Sequence, residues 1–394
     1  MATPLDPDPA ASSPWGALAD SERRVALDVL RYGPLARTEL ARRLGLSTAS
    51  LTRLTKPLVE QGVLHERNDV SIGTGGRPSQ PLDIDAGREH FIGIKLAGDT
   101  AAGVPTDLHA DILAREVVDL PSHEPDAVVS ELAALVARLR AGVTRLSAVG
   151  VGLGGRVRDY RWVTRAPFLG WTEVDLGAAL RAATGCPVAA ANDLYSLMEA
   201  ERWFGEGREV RQFAVLTIGA SVGGGLVIHD EVVTGPDADI GLLGHFPIDP
   251  LGPACPEGHR GCAHSLMSIE AVEAQAALSL GRHVRYDEVL NLAAAGDRAA
   301  TRIVGTAARG LGTLIAAVAN IALPERVVLT GEGIRLAEVG WDRIGDGIRS
   351  GRNPQASALD VRVLPDDPHL WARGAAAVAI QRTVLDDLGW SRAR

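Results

Sequence analysis

The stretch RTELARRLGLSTASLTRL, residues 37–54, decides how the N-terminal part of the chain folds. Leu40 and Leu44 lie four apart and share one helical face. Gly45 permits a tight turn, and Ser47 is a strong N-cap for the helix that follows. That helix carries Leu51, Leu54 and Leu58 on its buried stripe. Upstream, residues 22–32 align Val25, Val29 and Leu30, and Gly33-Pro34 stops this first helix. Three helices with a glycine turn before the last make a helix-turn-helix.

The outward face of the third helix presents Ser47, Thr48, Ala49, Ser50, Thr52 and Arg53, small or polar groups that can approach base edges and phosphates. Lys56 lies nearer the DNA backbone. Pro57 removes one helical hydrogen bond, which predicts a kink there, with Gly62 ending the helix. Residues 63–67 read as a polar loop, residues 73–78 spell GTGGRP, and Leu82 and Ile84 resume an alternating strand. This predicts a wing. Gly75 and Gly76 let its backbone approach a groove wall, and Arg77 can enter a narrow minor groove. The partner implied is double-stranded operator DNA.

Bulk properties agree with one DNA-binding segment on a larger body. The chain has 394 residues, 46% of them hydrophobic, enough for two or three domains with sizeable cores. The net charge of −9 argues against a protein coated in nucleic acid. Residues 19–84, however, hold ten Lys and Arg against eight Asp and Glu. Residues 1–18 read as a disordered tail. Three cysteines, without a signal-peptide pattern or a bilayer-length apolar run, predict a cytoplasmic protein with no membrane partner.

From His90 onward the pattern becomes α/β. Apolar strands are expected at 91–94, 110–118, 148–153, 187–191, Phe213–Ile218, 226–229 and 327–330, with helices at 127–139, 194–204, 268–280, 286–295 and 299–321. Glycines and polar residues stand where strands end, the usual place for ligands in such sheets: Gly155, Asn192, Asp193 and the run 219–225. Asn192-Asp193 also reads as a helix cap, and 219–225 as a tight hairpin or an anion cradle.

The order and spacing of these pieces resemble the ROK family of sugar kinases and sugar-responsive repressors. The best-matched segments are 169–171 through Asn192-Asp193, residues 217–225, and Gly244-His245 through Gly261-Cys262. The helix-turn-helix with its GGRP wing resembles the repressor branch. The resemblance implies an α/β fold: an N-terminal winged helix-turn-helix at 19–84, then an actin/hexokinase-like domain of two subdomains at 90–394 that binds ligand and oligomerises. A homodimer or homotetramer and a sugar or sugar-derivative effector are implied with it.

The same resemblance exposes departures. Asp193 falls at the family's catalytic-base position. The first phosphate loop, D-x-G-G-T in the kinases, reads Lys95-Leu96-Ala97-Gly98-Asp99 here, and the last glycine pair holds Glu332. Without those charges phosphoryl transfer loses its positioning, so no ATP and no enzymatic activity are expected. Sugar-contact positions have become Phe168, Leu242 and His264. A carboxylate accepts hydroxyl hydrogen bonds and Leu does not, so a less polar, modified or anionic ligand is expected. The ligand-contact set is Gly155, Asn192, Asp193, His245 and His264. The family's structural zinc site of one His and three Cys corresponds here to His245, Cys255, Glu257 and Cys262, with His259 as a substitute donor. A metal-free loop is the alternative. The sequence thus predicts a transcriptional regulator, a repressor, with a degenerate kinase-like sensor. The rivals are a sugar kinase with an appended DNA-binding domain and a ligand-independent regulator.

Overall fold

The computed structural model describes residues 14–67, 80–238 and 241–385. It forms two compact units. Unit 1 takes the chain up to Phe204 and again from Pro368, and unit 2 is Gly205–Asp367.

In unit 1 the three N-terminal helices are Asp20–Tyr32, Arg37–Leu44 and Thr48–Glu60. Gly45 ends the second in the left-handed conformation with φ 66°, the turn expected of it. The third helix runs through Pro57 to Glu60, ending just before the Gly62 expected to stop it, and the Gln61 amide donates to the Pro57 carbonyl at 2.9 Å. The expected polar loop after it contains a short strand, Leu64–Glu66, paired antiparallel with Leu82–Ile84. Gly75, Gly76 and Arg77 lie outside the described residues. The tail expected over residues 1–18 does not hold for its last residues, since Pro14–Ala17 forms a 3-10 turn and Trp15 and Leu18 are buried; residues 1–13 lie outside the described residues.

A five-stranded sheet backs these helices, in the order Val188–Asn192, Leu146–Leu153, His90–Leu96, Thr100–Thr106, Glu116–Asp119. The first three strands run parallel and the last two antiparallel. The expected strand over 110–118 is displaced. Asp107 accepts hydrogen bonds from the His109 and Asp111 amides, and Ala110 takes φ 58°, so this stretch turns before pairing resumes at Glu116. The C-terminal helix Pro368–Val384 lies directly on the sheet. A Cβ on Gly93 would stand 1.9 Å from the Ala372 carbonyl, and one on Gly150 would stand 1.9 Å from that of Ala375. Only glycine permits so close an approach. Trp15, Leu30, Leu40, Leu51, Leu58 and Leu82 share one apolar cluster with Phe91, Ala148, Trp203 and Ile380. The helix-turn-helix is therefore packed into the core of unit 1.

Unit 2 has its own five-stranded sheet, in the order Glu231–Val232, Val222–Ile228, Phe213–Ile218, Arg326–Thr330, Asp360–Val363. Its core helix Arg298–Ala322 is long and apolar enough to cross a membrane by length and composition. Its apolar stripe is instead buried, with Leu311, Leu314 and Ile315 fully covered beside the strand residues Leu216 and Val327.

Candidate functional site

Three groups of chemistry-bearing residues stand out, two in unit 1 and one in unit 2.

The first is the exposed face of Thr48–Glu60. Ser47 caps it, its hydroxyl oxygen accepting the Ser50 amide at 3.1 Å. Leu51, Thr55 and Leu58 point into the core, which turns Thr48, Ala49, Thr52, Arg53 and Lys56 to solvent, with Ser50 half-buried. Thr52 returns its hydroxyl to the Thr48 carbonyl at 2.9 Å, and Lys56 lies 3.8 Å from Glu60. The surface is polar, narrow and positive at Arg53 and Lys56, as a major-groove helix requires.

The second group gathers at the carboxyl ends of the parallel strands of unit 1. Lys95 ends the strand His90–Leu96 but for one residue, and Asp193 opens the helix Asp193–Phe204. Their side chains form an ion pair through Lys95 Nζ and Asp193 Oδ2. The Lys95 ammonium also stands 4.9 Å from the centroid of the Trp371 ring. Asp193 Oδ1 accepts the Leu194 amide at 2.8 Å. Asn192 donates to the Gly155 carbonyl at 2.9 Å and accepts the Tyr195 amide at 3.1 Å. It therefore caps the helix and ties it to the neighbouring strand end. Sequence reasoning placed Gly155, Asn192 and Asp193 together, and the structure brings them together. It did not foresee the pairing of Lys95 with Asp193, because the two residues are 98 apart in the chain.

The third group lies in unit 2. The hairpin Phe213–Ile218 to Val222–Ile228 turns at 219–221, closed by the Gly219 amide on the Ser221 carbonyl at 3.0 Å. Gly223 to Gly225 are strand residues rather than loop. The Glu332 carboxylate accepts the Ala220 amide at 3.3 Å, and a Cβ on Gly219 would stand 2.5 Å from its Oε2. The anion at this turn thus comes from the chain itself. Burial pushes the carboxyl of Asp366 up, and the Glu332, Asp367 and Asp287 carboxylates push it further.

Beside this turn, a cavity of about 190 Å³ is lined by Ser221, Val222, Gly244, His245, Glu257 and His264, among others. Burial lowers the pKa of His264, helped by the neighbouring His245. At its edge His245, Cys255, His259 and Cys262 bring their ligand atoms within 4.8 Å of one another. His245 Nδ1 lies 3.6 Å from the Cys255 sulfur and 3.9 Å from that of Cys262, so this ring faces the thiols with one nitrogen. Glu257, expected as the fourth donor, stands outside the set. It sits exposed in the middle of a turn closed by the Gly258 amide on the Cys255 carbonyl at 3.0 Å, whereas His259, one residue past that turn, comes back toward the sulfurs. Burial pushes the Cys262 thiol up, but hydrogen bonds from Ser265 and His245 outweigh it and hold it at about 6. The Cys255 thiol is raised by burial. His259 Nε2 is buried without a hydrogen-bond partner among the described residues. Two thiols, one of them easily ionised, and two imidazoles with an orphaned nitrogen fit a tetrahedral metal ion.

The sequence matches the ROK family over residues 91–382. It is 27% identical over 317 residues to the DNA-binding transcriptional dual regulator NagC of Escherichia coli, covering 77% of this chain and 78% of the relative. It is 24% identical over 342 residues to the repressor Mlc of the same organism, covering 83% and 84%. Among solved structures, a ROK family transcriptional regulator homologous to E. coli Mlc superposes with a TM-score of 0.77 at 24% identity, covering 94% of this chain and 98% of that one. The ROK hexokinase of Thermus thermophilus gives 0.63 at 29% identity, covering 73% and 97%.

Proposed function

Since the chain belongs to the ROK family and carries a helix-turn-helix ahead of the family's domain, we propose that it is a DNA-binding transcriptional repressor whose kinase-like part senses a sugar or sugar derivative. The helix Thr48–Glu60 carries this reading: capped at Ser47, anchored by Leu51 and Leu58, and open to solvent along Thr48, Ala49, Thr52 and Arg53. DNA contact extends to Ser47, Ser50, Lys56 and the Gly75, Gly76, Arg77 loop. Residues 19–84 act as the reading head and 90–394 as the sensor. A homodimer or homotetramer presents two heads to a palindromic operator. NagC and Mlc, by name regulators of transcription, support this reading.

The chain is not an enzyme on this reading. Lys95 holds Asp193 in an ion pair, so the carboxylate is not free to accept a proton from a substrate hydroxyl. Glu332 occupies the turn at Ala220, where a phosphate would need the same amide. In unit 1 the ligand contacts are Gly155, Asn192 and Asp193; in unit 2, taken by itself, they are His245 and His264, which line the cavity beside the hairpin turn. Zinc is the metal that two thiolates and two imidazoles suit best, held by His245, Cys255, His259 and Cys262, and its role is to fix the loop carrying them.

Retardation of the protein's own promoter fragment at low salt tests the central reading, and failure to retard any such fragment overturns it. A coupled ADP-release assay over a sugar panel tests the kinase alternative, and turnover above background revives it.

A further inference from the structure

We infer that the DNA-reading head is clasped to the rest of unit 1 at three points, with Arg31 and Arg88 as positioning residues, so that the spacing of two operator half-sites is selected together with their sequence. This rests on the repressor reading above and adds what sets the geometry of recognition.

The first point precedes the head. Trp15, in the 3-10 turn Pro14–Ala17, is 1% exposed and shares an apolar cluster with Ile380 and Val384 of the helix Pro368–Val384. Arg23, in the first turn of Asp20–Tyr32, donates through Nη2 to the Trp15 carbonyl at 2.9 Å. One end of that helix is thereby tied to the C-terminal helix. The second point is its other end. The Arg31 guanidinium stands 5.4 Å from the centroid of the Trp203 ring, which is buried near the end of Asp193–Phe204.

The third point is the end of Thr48–Glu60. Arg88 lies in the segment between head and sensor, and its Nη1 donates to the Gln61 carbonyl at 2.6 Å. A helix leaves its last carbonyls unmet there and its dipole is negative, so a cation suits the place twice over. Gly62 makes room, since a Cβ on it would stand 3.0 Å from Arg88 Nη1. The joining segment is itself fixed. The Leu108 amide donates to the Ala86 carbonyl at 3.1 Å, and the fully buried Glu89 pairs with Arg145 at 3.5 Å. Boundaries between domains usually fall in exposed, flexible linkers, and this one is pinned on both sides of Arg88.

Two points at opposite ends of one helix leave a body free to swing about that helix. A third point on another helix stops the swing. The exposed row Thr48, Ala49, Thr52 and Arg53 is then carried at a fixed angle to unit 1. A symmetric pair of chains repeats that angle, so both heads fit half-sites at one separation. Two added base pairs turn the second half-site by about 70° and shift it by about 7 Å along the duplex. A tethered head follows that displacement and a clasped one does not.

The test uses the full chain and the fragment of its own promoter that footprinting identifies. The fragment is titrated by mobility shift in three forms: intact, with two base pairs inserted between the half-sites, and cut to one half-site. The unaltered chain is expected to bind the inserted form at least tenfold more weakly than the intact one. Arg31→Ala with Arg88→Ala removes two points and leaves Trp15 as a pivot. That variant is expected to keep its melting temperature and its single half-site affinity, while the insertion penalty falls to about threefold or less. Arg31→Lys with Arg88→Lys keeps both cations and is expected to restore the penalty. An unaltered chain that binds the inserted form as tightly as the intact one overturns the proposal and leaves the repressor reading standing. So does an alanine variant whose insertion penalty stays at the parent value. Failure of the unaltered chain to retard any form of its promoter is instead the failure of the repressor reading.

Discussion

Unit 1 spends its polar groups on one another, and unit 2 leaves a set of them waiting. At the strand ends of unit 1, Lys95 answers Asp193, and Asn192 answers both Gly155 and Tyr195. Beside the paired strands Leu64–Glu66 and Leu82–Ile84, Arg67 answers the buried Asp83 at 3.0 Å. In unit 2, two thiols and two imidazoles converge within 4.8 Å, and a ring nitrogen of His259 has no partner among the described residues. Both are dense polar clusters. The difference teaches that the presence of ligating side chains is a poor guide to metal, whereas an unmet buried donor set is a good one.

Breaking the unit 2 cluster has the largest expected effect. Cys262→Ser removes a donor at the centre of the set. It is expected to abolish stoichiometric zinc in metal analysis and to destabilise the protein by about 4 kcal/mol, a fall in Tm of about 8–16 °C by calorimetry. Glu257→Gln should leave metal content unchanged; loss of metal in that variant returns Glu257 to the ligand set. The matching change in unit 1 is Lys95→Met, which leaves Asp193 unpaired. It is expected to cost about 2–4 kcal/mol in urea unfolding, and Lys95→Met with Asp193→Asn should recover most of it. If the single variant is as stable as the parent chain, the pair is not the self-contained unit described.

Smaller effects sharpen the contrast within unit 1. Arg53 is exposed on the helix Thr48–Glu60. Arg53→Ala should leave Tm unchanged and weaken operator binding by about 1–3 kcal/mol in a mobility shift. Ser47 is a satisfied cap, and Ser47→Ala should cost about 1 kcal/mol of stability. An Arg53 variant that lost stability instead of affinity would move that residue to the structural side of the comparison.

Much of the fold was legible because periodicity and caps are local. Ser47 announced its helix, Gly45 its turn, and the apolar runs at Phe213–Ile218 and Arg326–Thr330 their strands. The strand Thr100–Thr106 escaped because Gly103 and Pro105 interrupt its pattern, and burial within the sheet overrides that weakness. The helix Pro368–Val384 escaped for the opposite reason: its alanines are buried nearly all round, so no polar face marks its period. At the metal cluster the spacing from Cys255 to Cys262 was visible, but which of Glu257 and His259 joins it depended on a turn the spacing does not encode.

By itself the sequence determined the family and the three N-terminal helices, since each depends on neighbours a few positions apart. Tertiary structure decided which charges meet. Lys95 and Asp193, 98 residues apart, become a neutral pair only because parallel strands set their ends side by side. Glu332 reaches the Ala220 amide, 112 residues away, because the strands Phe213–Ile218 and Arg326–Thr330 are parallel neighbours. Electrostatic interaction falls with distance through space, not along the chain, so what a charged residue does is settled only once the backbone has placed it.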